Sequence, residues 1–266
     1  MDKERMILVE KLAIENLSED IFRYPRIKDF DTNDFFRSND INGWVREINN
    51  LLKDIHFTFG YIKSYHIVSK DYDYAIYKRN LNINNILSYI FSFKDKCSYL
   101  FCELFNIDLG EKEFNKLNFS ILSNKSKGID LDKLTILIEG VDELYKSKLK
   151  EYRNSNIHRQ TIGIDNFGSG MIKKRIKGEK IEVRKEKKII NSSIDTESKE
   201  VLEKFKNFPT RDIIMYSYER ISYNTIIDEI EGFISRLNEL VDNININMSE
   251  LMKNGNEFKN KHKTIN

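Results

Sequence analysis

The chain has 266 residues, enough for one large domain or two small ones, and its 32% charged and 40% hydrophobic residues are an ordinary globular balance. A formal net charge of +2 does not in itself mark a nucleic-acid binder, and two prolines with eleven glycines are too few for a sandwich or barrel built on many tight turns. A mainly α-helical fold is expected.

Residues 1–38 mix aromatic and charged side chains without clear periodicity and read as an irregular N-terminal segment. The opening Met1-Asp2-Lys3-Glu4-Arg5 lacks the apolar core of a signal peptide. No run approaches the ~18 apolar residues of a membrane span, so the expected setting is the cytoplasm, without membrane contact. Heavy use of Asn, Ile and Lys suggests an AT-rich coding sequence and hence a bacterial source.

From Ile41 a helical pattern begins, with Trp44, Val45, Ile48, Leu52, Ile55, Phe59 and Ile62 recurring at three- and four-residue steps. A connection rich in Tyr and Asp follows over residues 68–84. A second helix is predicted from Asn85 to Asn106, carrying Ile86, Ile90, Phe93, Cys97, Leu100 and Leu104 on one stripe. Cys97 and Cys102 are the only cysteines and are read as small apolar packing residues rather than a redox pair. Residues 110–128 are polar and read as loop, with room for a short helix inside it.

A third helix starts near Asp130 or Asp132, either of which can cap it. Its apolar face runs through Leu134, Leu137, Ile138, Val141, Leu144, Tyr145, Leu149 and Tyr152, directly into Arg153. Glu139, Asp142 and Glu143 read as the charged outer face of that helix. Three amphipathic helices joined by loops are most simply a bundle.

Beyond His158 the composition changes. Residues 161–170 hold three glycines and read as loop, while Met171–Lys188 has nine Lys or Arg against three Glu. A small basic β-hairpin around Lys177-Gly178-Glu179 is expected there, as an insertion over about 165–190. Helix is predicted again over 196–208 and from Thr210 to about Lys253. A polar tail spans 255–266. The expected organisation is one helical domain, 39–254, interrupted by the basic hairpin.

The segment Glu151-Tyr152-Arg153-Asn154-Ser155-Asn156-Ile157-His158-Arg159-Gln160 gathers the groups needed to grip a phosphodiester and move a proton. On a helix Asn154 and His158 are four apart and share a face, with Arg153 one position round. Arginine offers a permanently charged planar fork for phosphate, and histidine titrates near cellular pH. RNA carries its own nucleophile in the 2′-hydroxyl, so cleavage needs a base, an acid and charge stabilisation but no metal. The histidines, at 56, 66, 158 and 262, are too scattered for a metal site, and neither cofactor nor metal is expected. One protomer supplies a single histidine to this cluster, so a two-fold dimer would complete a pair. Lys173, Lys174, Arg175, Lys177 and Arg159 are candidate contacts to RNA phosphates. Met171–Lys188 contains no aromatic side chain for base stacking, so such binding would be non-specific.

Arg153-Asn154 followed by His158 resembles the signature of the HEPN superfamily, helical bundles that often act as metal-independent ribonucleases. Phe93-Lys94-Asp95-Lys96-Cys97 is similar to the Asp-Lys element that some bacterial HEPN groups carry opposite the motif helix. The resemblance covers roughly residues 40–160. It implies a homodimer that cleaves RNA in a toxin, phage-defence or RNA-processing setting, with an antitoxin or other regulatory protein as a further partner. It also implies roles: Arg153 to stabilise the phosphate, His158 as acid and base, Asn154 to orient one or the other. HEPN toxins paired with a nucleotidyltransferase often carry tyrosine two residues after the histidine. Gln160 stands there in this chain, so control through that tyrosine is not implied. The alternative is a non-catalytic helical dimer that binds RNA, a nucleotide or a partner protein in the same groove.

Overall fold

The computed structural model of the chain describes residues 2–30, 35–105, 107, 117, 121–122, 132–145, 148–150, 152–153, 162–165, 167–175 and 216–247. Among them the fold is mainly helical. In chain order come α1 (Lys3–Glu15), a 3₁₀ turn (Glu19–Phe22), α2 (Phe35–Val68), α3 (Asp73–Phe105) and α4 (Asp132–Leu144). Strands β1 (Gly163–Ile164), β2 (Ser169–Arg175) and β3 (Tyr216–Ser222) follow, and then α5 (Tyr223–Ile246). No helix of the described residues is long and apolar enough to cross a membrane. The chain divides into two compact units, 1–172 with 220–266, and 173–219; the elements below belong to the first unless stated.

The helices follow their apolar spacing. On α2 the side chains of Ile41, Val45, Ile48, Leu52, Ile55 and Ile62 are fully buried, and on α3 those of Ile83, Ile86, Leu87, Ile90, Phe93, Cys97, Leu100 and Phe101. At about 1.5–3 kcal/mol per buried aliphatic or aromatic side chain, the α2–α3 hairpin is the principal apolar contact of the fold. Cys97 and Cys102 are both buried packing residues, their thiols pushed up by burial, Cys102 to about 12.

The structure corrects several boundaries. The N-terminal segment read as irregular contains α1, capped by Asp2, whose carboxylate accepts the Glu4 N–H at 3.2 Å. Its buried side is only Val9 and Ala13, while Ile7, Leu8 and Ile14 stay exposed, so no apolar stripe announces it. The supposed connection over 68–84 is largely the first three turns of α3, where Ala75, Arg79 and Ile83 occupy the inward positions. The glycine-rich stretch after 161 is a hairpin of its own: β1 pairs antiparallel with β2, Gly163 opposite Met171 and Ile164 opposite Gly170. Gly168 turns it with φ +75, and a side chain at Gly170 would meet the Gly163 carbonyl at 2.4 Å. The basic strand Ser169–Arg175 pairs back onto β1; the turn expected at Lys177-Gly178-Glu179 lies outside the described residues. Residues 216–222, read as helix, form β3, next to β2 in the sheet. The predicted helix over 196–208 and the 255–266 tail lie outside the described residues.

The non-helical chain is fixed to the helices by asparagine. An asparagine side chain carries one acceptor and a donor, the complement of a peptide group. Asn49 accepts the Ile27 N–H and donates to the Ile27 carbonyl, both at 2.9 Å. Asn42 does the same to Phe30, at 2.7 and 2.8 Å. Asn245 of α5 takes the Lys28 N–H at 2.9 Å and donates to Arg26 at 2.8 Å. On α3, Asn80 pairs in this way with Ile164 (3.1 and 3.0 Å) and Asn84 with Ile162 (3.3 and 3.2 Å). Two residues of strand advance roughly 6.6 Å and four residues of helix about 6 Å, so an Asn at every fourth helical position keeps step with alternate strand residues.

Arg79 completes this attachment and is fully buried. It donates to the carbonyls of Ile164 and, at 2.7 Å, Asp165, and to Ser69 Oγ at 3.0 Å. Its fourth contact is His66 Nδ1 at 3.1 Å; arginine has no acceptor, so His66 accepts there and carries its proton on Nε2. The His66 ring stacks on Tyr223, centroids 3.5 Å apart. Burial, then Arg79 and Lys70, hold the His66 imidazole below its usual range; burial also lowers His56, although its hydrogen bond with Asn238 opposes this.

Replacing Asn49 with alanine strands two peptide groups of Ile27, and a loss of about 2–3 kcal/mol in urea unfolding is expected. Asn50→Ala, on the exposed side of the same helix, should change stability by less than about 0.5 kcal/mol.

Histidines lowered in the folded state take up protons first in the unfolded chain. The stability they confer is complete above pH ~6.5 and is lost as pH falls from there through the folded values. Urea midpoints should drop between pH 7.5 and 5, and His66→Asn, which keeps an acceptor for Arg79 without titrating, should flatten part of that slope.

Candidate functional site

Of the catalytic trio named from sequence, Arg153 alone lies among the described residues; Asn154 and His158 do not, nor do Arg159 and Lys177. Lys173, Lys174 and Arg175 lie on β2, at the edge of the second unit. The helix predicted to run unbroken to Arg153 ends at Leu144. Tyr145 turns the chain, its N–H donating to Asp142 at 3.1 Å, and a helical turn resumes with the Tyr152 N–H on Lys148 at 3.1 Å. Leu149 and Tyr152 are buried, which fixes the turn that carries Arg153.

The turn at Tyr145 has a visible cause. The ring is buried between Phe91 (5.2 Å, edge-on) and Phe233 of α5 (5.6 Å), and its hydroxyl donates to the Ile90 carbonyl on α3. Burial leaves that phenol very hard to ionise. The end of α4 is thereby tied to the middle of α3.

On α3, Phe91, Lys94 and Asp95 are three and four residues apart and share a face. The Arg153 guanidinium lies over the Phe91 ring, 5.0 Å from its centroid. Lys94 pairs with Asp142 at 2.9 Å and also sits 4.8 Å from the Tyr145 centroid. Asp142, read from sequence as outer-face charge, is therefore an ion-pair partner. Burial raises the Asp95 carboxyl above the usual carboxylate range, while the positive charges of Arg153 and Lys94 pull it back. Arg153 Nε is buried and has no hydrogen-bond partner among the described residues.

The two segments singled out from sequence, Arg153 and Lys94-Asp95, thus meet. A guanidinium laid on an aromatic face keeps its planar charged fork oriented for an anionic oxygen. A carboxyl raised by burial beside it is a group able to hold or release a proton nearer neutrality. The aromatic support from Phe91 and Tyr145 escaped sequence reading: Tyr145 looked like an ordinary member of an apolar stripe, and Phe91 lay off the stripe of its helix. Among the described residues no group of His, Cys, Asp and Glu is arranged to hold a metal ion.

Because Arg153 opposes the effect of burial on Asp95, Arg153→Gln should raise the Asp95 carboxyl further, as followed by its side-chain carbon resonance across a pH titration. An unchanged Asp95 titration would mean that the two groups do not sense each other.

The chain matches no known family, no curated protein and no solved structure.

Proposed function

We propose that this protein is a metal-independent endoribonuclease of the HEPN type, in a toxin, phage-defence or RNA-processing role. The observation that supports the reading best is the Arg153 guanidinium laid on Phe91 beside the Lys94-Asp95 pair. A phosphodiester offers acceptor oxygens and a negative charge to the guanidinium fork.

The reaction follows from those parts. A ribose 2′-hydroxyl attacks the adjacent phosphorus as His158 removes its proton. Arg153 stabilises the negative charge that gathers on the phosphorane oxygens. The P–O5′ bond breaks, and the departing oxygen receives a proton from a second acid, the histidine of a partner protomer. The products are a 2′,3′-cyclic phosphate and a free 5′-hydroxyl, so atoms and charge balance without water or metal. Asn154 orients Arg153 or His158. Lys173, Lys174 and Arg175, with Arg159 and Lys177, hold the flanking phosphates by charge alone.

Mixed RNA and single-stranded DNA incubated in excess EDTA with the purified protein test this. RNA fragments ending in cyclic phosphate are expected, with DNA intact, and Arg153→Ala and His158→Ala should each reduce cleavage at least ~100-fold. Intact RNA, or cleavage that both variants retain, would defeat the proposal; RNA bound but uncut would leave a non-catalytic RNA-binding helical protein.

A further inference from the structure

A second site stands apart from the one above. Between α1 and the start of α3 there is a cleft of about 650 Å³, the volume of a small-molecule pocket. Its aromatic wall is Tyr72, Tyr74 and Tyr77, its charged groups Arg5, Asp71 and Asp73.

The wall is built in advance. Glu10 of α1 accepts the Tyr74 hydroxyl at 3.0 Å and that of Tyr65, and pairs with Lys78 at 2.9 Å. These contacts hold the Glu10 carboxyl below its usual range despite burial. With its hydroxyl committed, the Tyr74 ring is fixed, and Tyr77 stacks against it with centroids 6.2 Å apart. Tyr77 is nonetheless 60% exposed, a large ring held in place but uncovered. A rigid aromatic surface costs little entropy on binding.

The charges select the ligand. Arg5, Asp71 and Asp73 form no ion pair among the described residues. One acidic residue at the start of α3 answers the helix dipole; here two flank three aromatic rings. Aromatic faces beside carboxylates favour a guanidinium or ammonium group, through cation–π contact and charge-assisted hydrogen bonds. Arg5, from the other helix, requires an acceptor on the same ligand. We propose that this cleft binds a basic amino acid, free or as a residue of a peptide: its cationic side chain on Tyr77 and the aspartates, its carboxylate or carbonyl toward Arg5.

Calorimetric titration of the full chain with arginine, agmatine, N-acetyl-arginine amide and AMP tests this. Arginine should bind, and Tyr77→Ala and Asp73→Asn should each weaken it about tenfold, as loss of a cation–π or charge-assisted contact entails. Both positions are at the surface, so matched thermal melts of the variants are expected and serve as the control for folding. Agmatine, which lacks the carboxylate, should bind more weakly, by a margin that Arg5→Gln removes. Tighter binding of the capped arginine would assign the site to a peptide, and tighter binding of the free amino acid to a metabolite. No arginine binding up to about 1 mM, AMP bound in preference, or binding indifferent to both variants would overturn the proposal.

Discussion

A helix satisfies its own peptide groups, but the chain that crosses its surface does not satisfy its own, and this constraint governs the fold. The α2–α3 hairpin presents long apolar faces to segments that are neither helix nor wide sheet. Their N–H and C=O groups must find partners or lose about 1–3 kcal/mol each. Five asparagines meet that demand, two on α2, two on α3 and one on α5. Each behaves as a detached peptide unit projecting from a helix. The spacing of helix and strand then sets which residues can be joined, and so fixes the register of the strand preceding the β1–β2 turn.

Arg79 extends the same logic with a charge. Among the described residues it has no carboxylate within ion-pair distance, and its neutralisation is spread over carbonyls, a hydroxyl, a histidine nitrogen and the face of Tyr223. Hydrogen bonds to a charged donor are worth roughly twice neutral ones, which offsets part of the cost of burying it. The arrangement joins α2, α3, the β1–β2 turn and the start of α5 at one point. The chain that leaves the Arg153 segment is secured there again within a dozen residues, so the proposed catalytic segment has fixed structure on both sides.

What could be read from the sequence follows this division. Where burial is aliphatic, as at Ile41, Val45, Ile48 and Leu52, periodicity identified both the helix and its inward face. Where a polar residue stands at an inward position, the pattern breaks: Arg79 in the α3 stripe made three turns of helix look like loop. The small Ala13 did the same for α1. In β3 the alternation Tyr216-Ser217-Tyr218-Glu219 is a strand signal, outweighed by the long apolar run of α5 that follows it. At the candidate site, Arg153 and Asp95 were legible as chemistry. Their proximity was implied by the HEPN resemblance alone and not by the periodicity, because it depends on the turn at Tyr145, whose buried phenol is tied to the Ile90 carbonyl on α3.

The asparagine clamps also bear on how the protein ages. Asn42 is followed by Gly43, the pairing most prone to lose its amide, since the unhindered glycine nitrogen readily attacks the asparagine side chain to close a succinimide. Helical geometry holds that nitrogen away from the side chain, and both polar atoms of Asn42 are already engaged by Phe30. Folding thus preserves the amide on which this attachment depends. A molecule that deamidates while unfolded would return with a carboxylate facing the Phe30 carbonyl, an acceptor against an acceptor, and its clock would run from the time spent outside the native state.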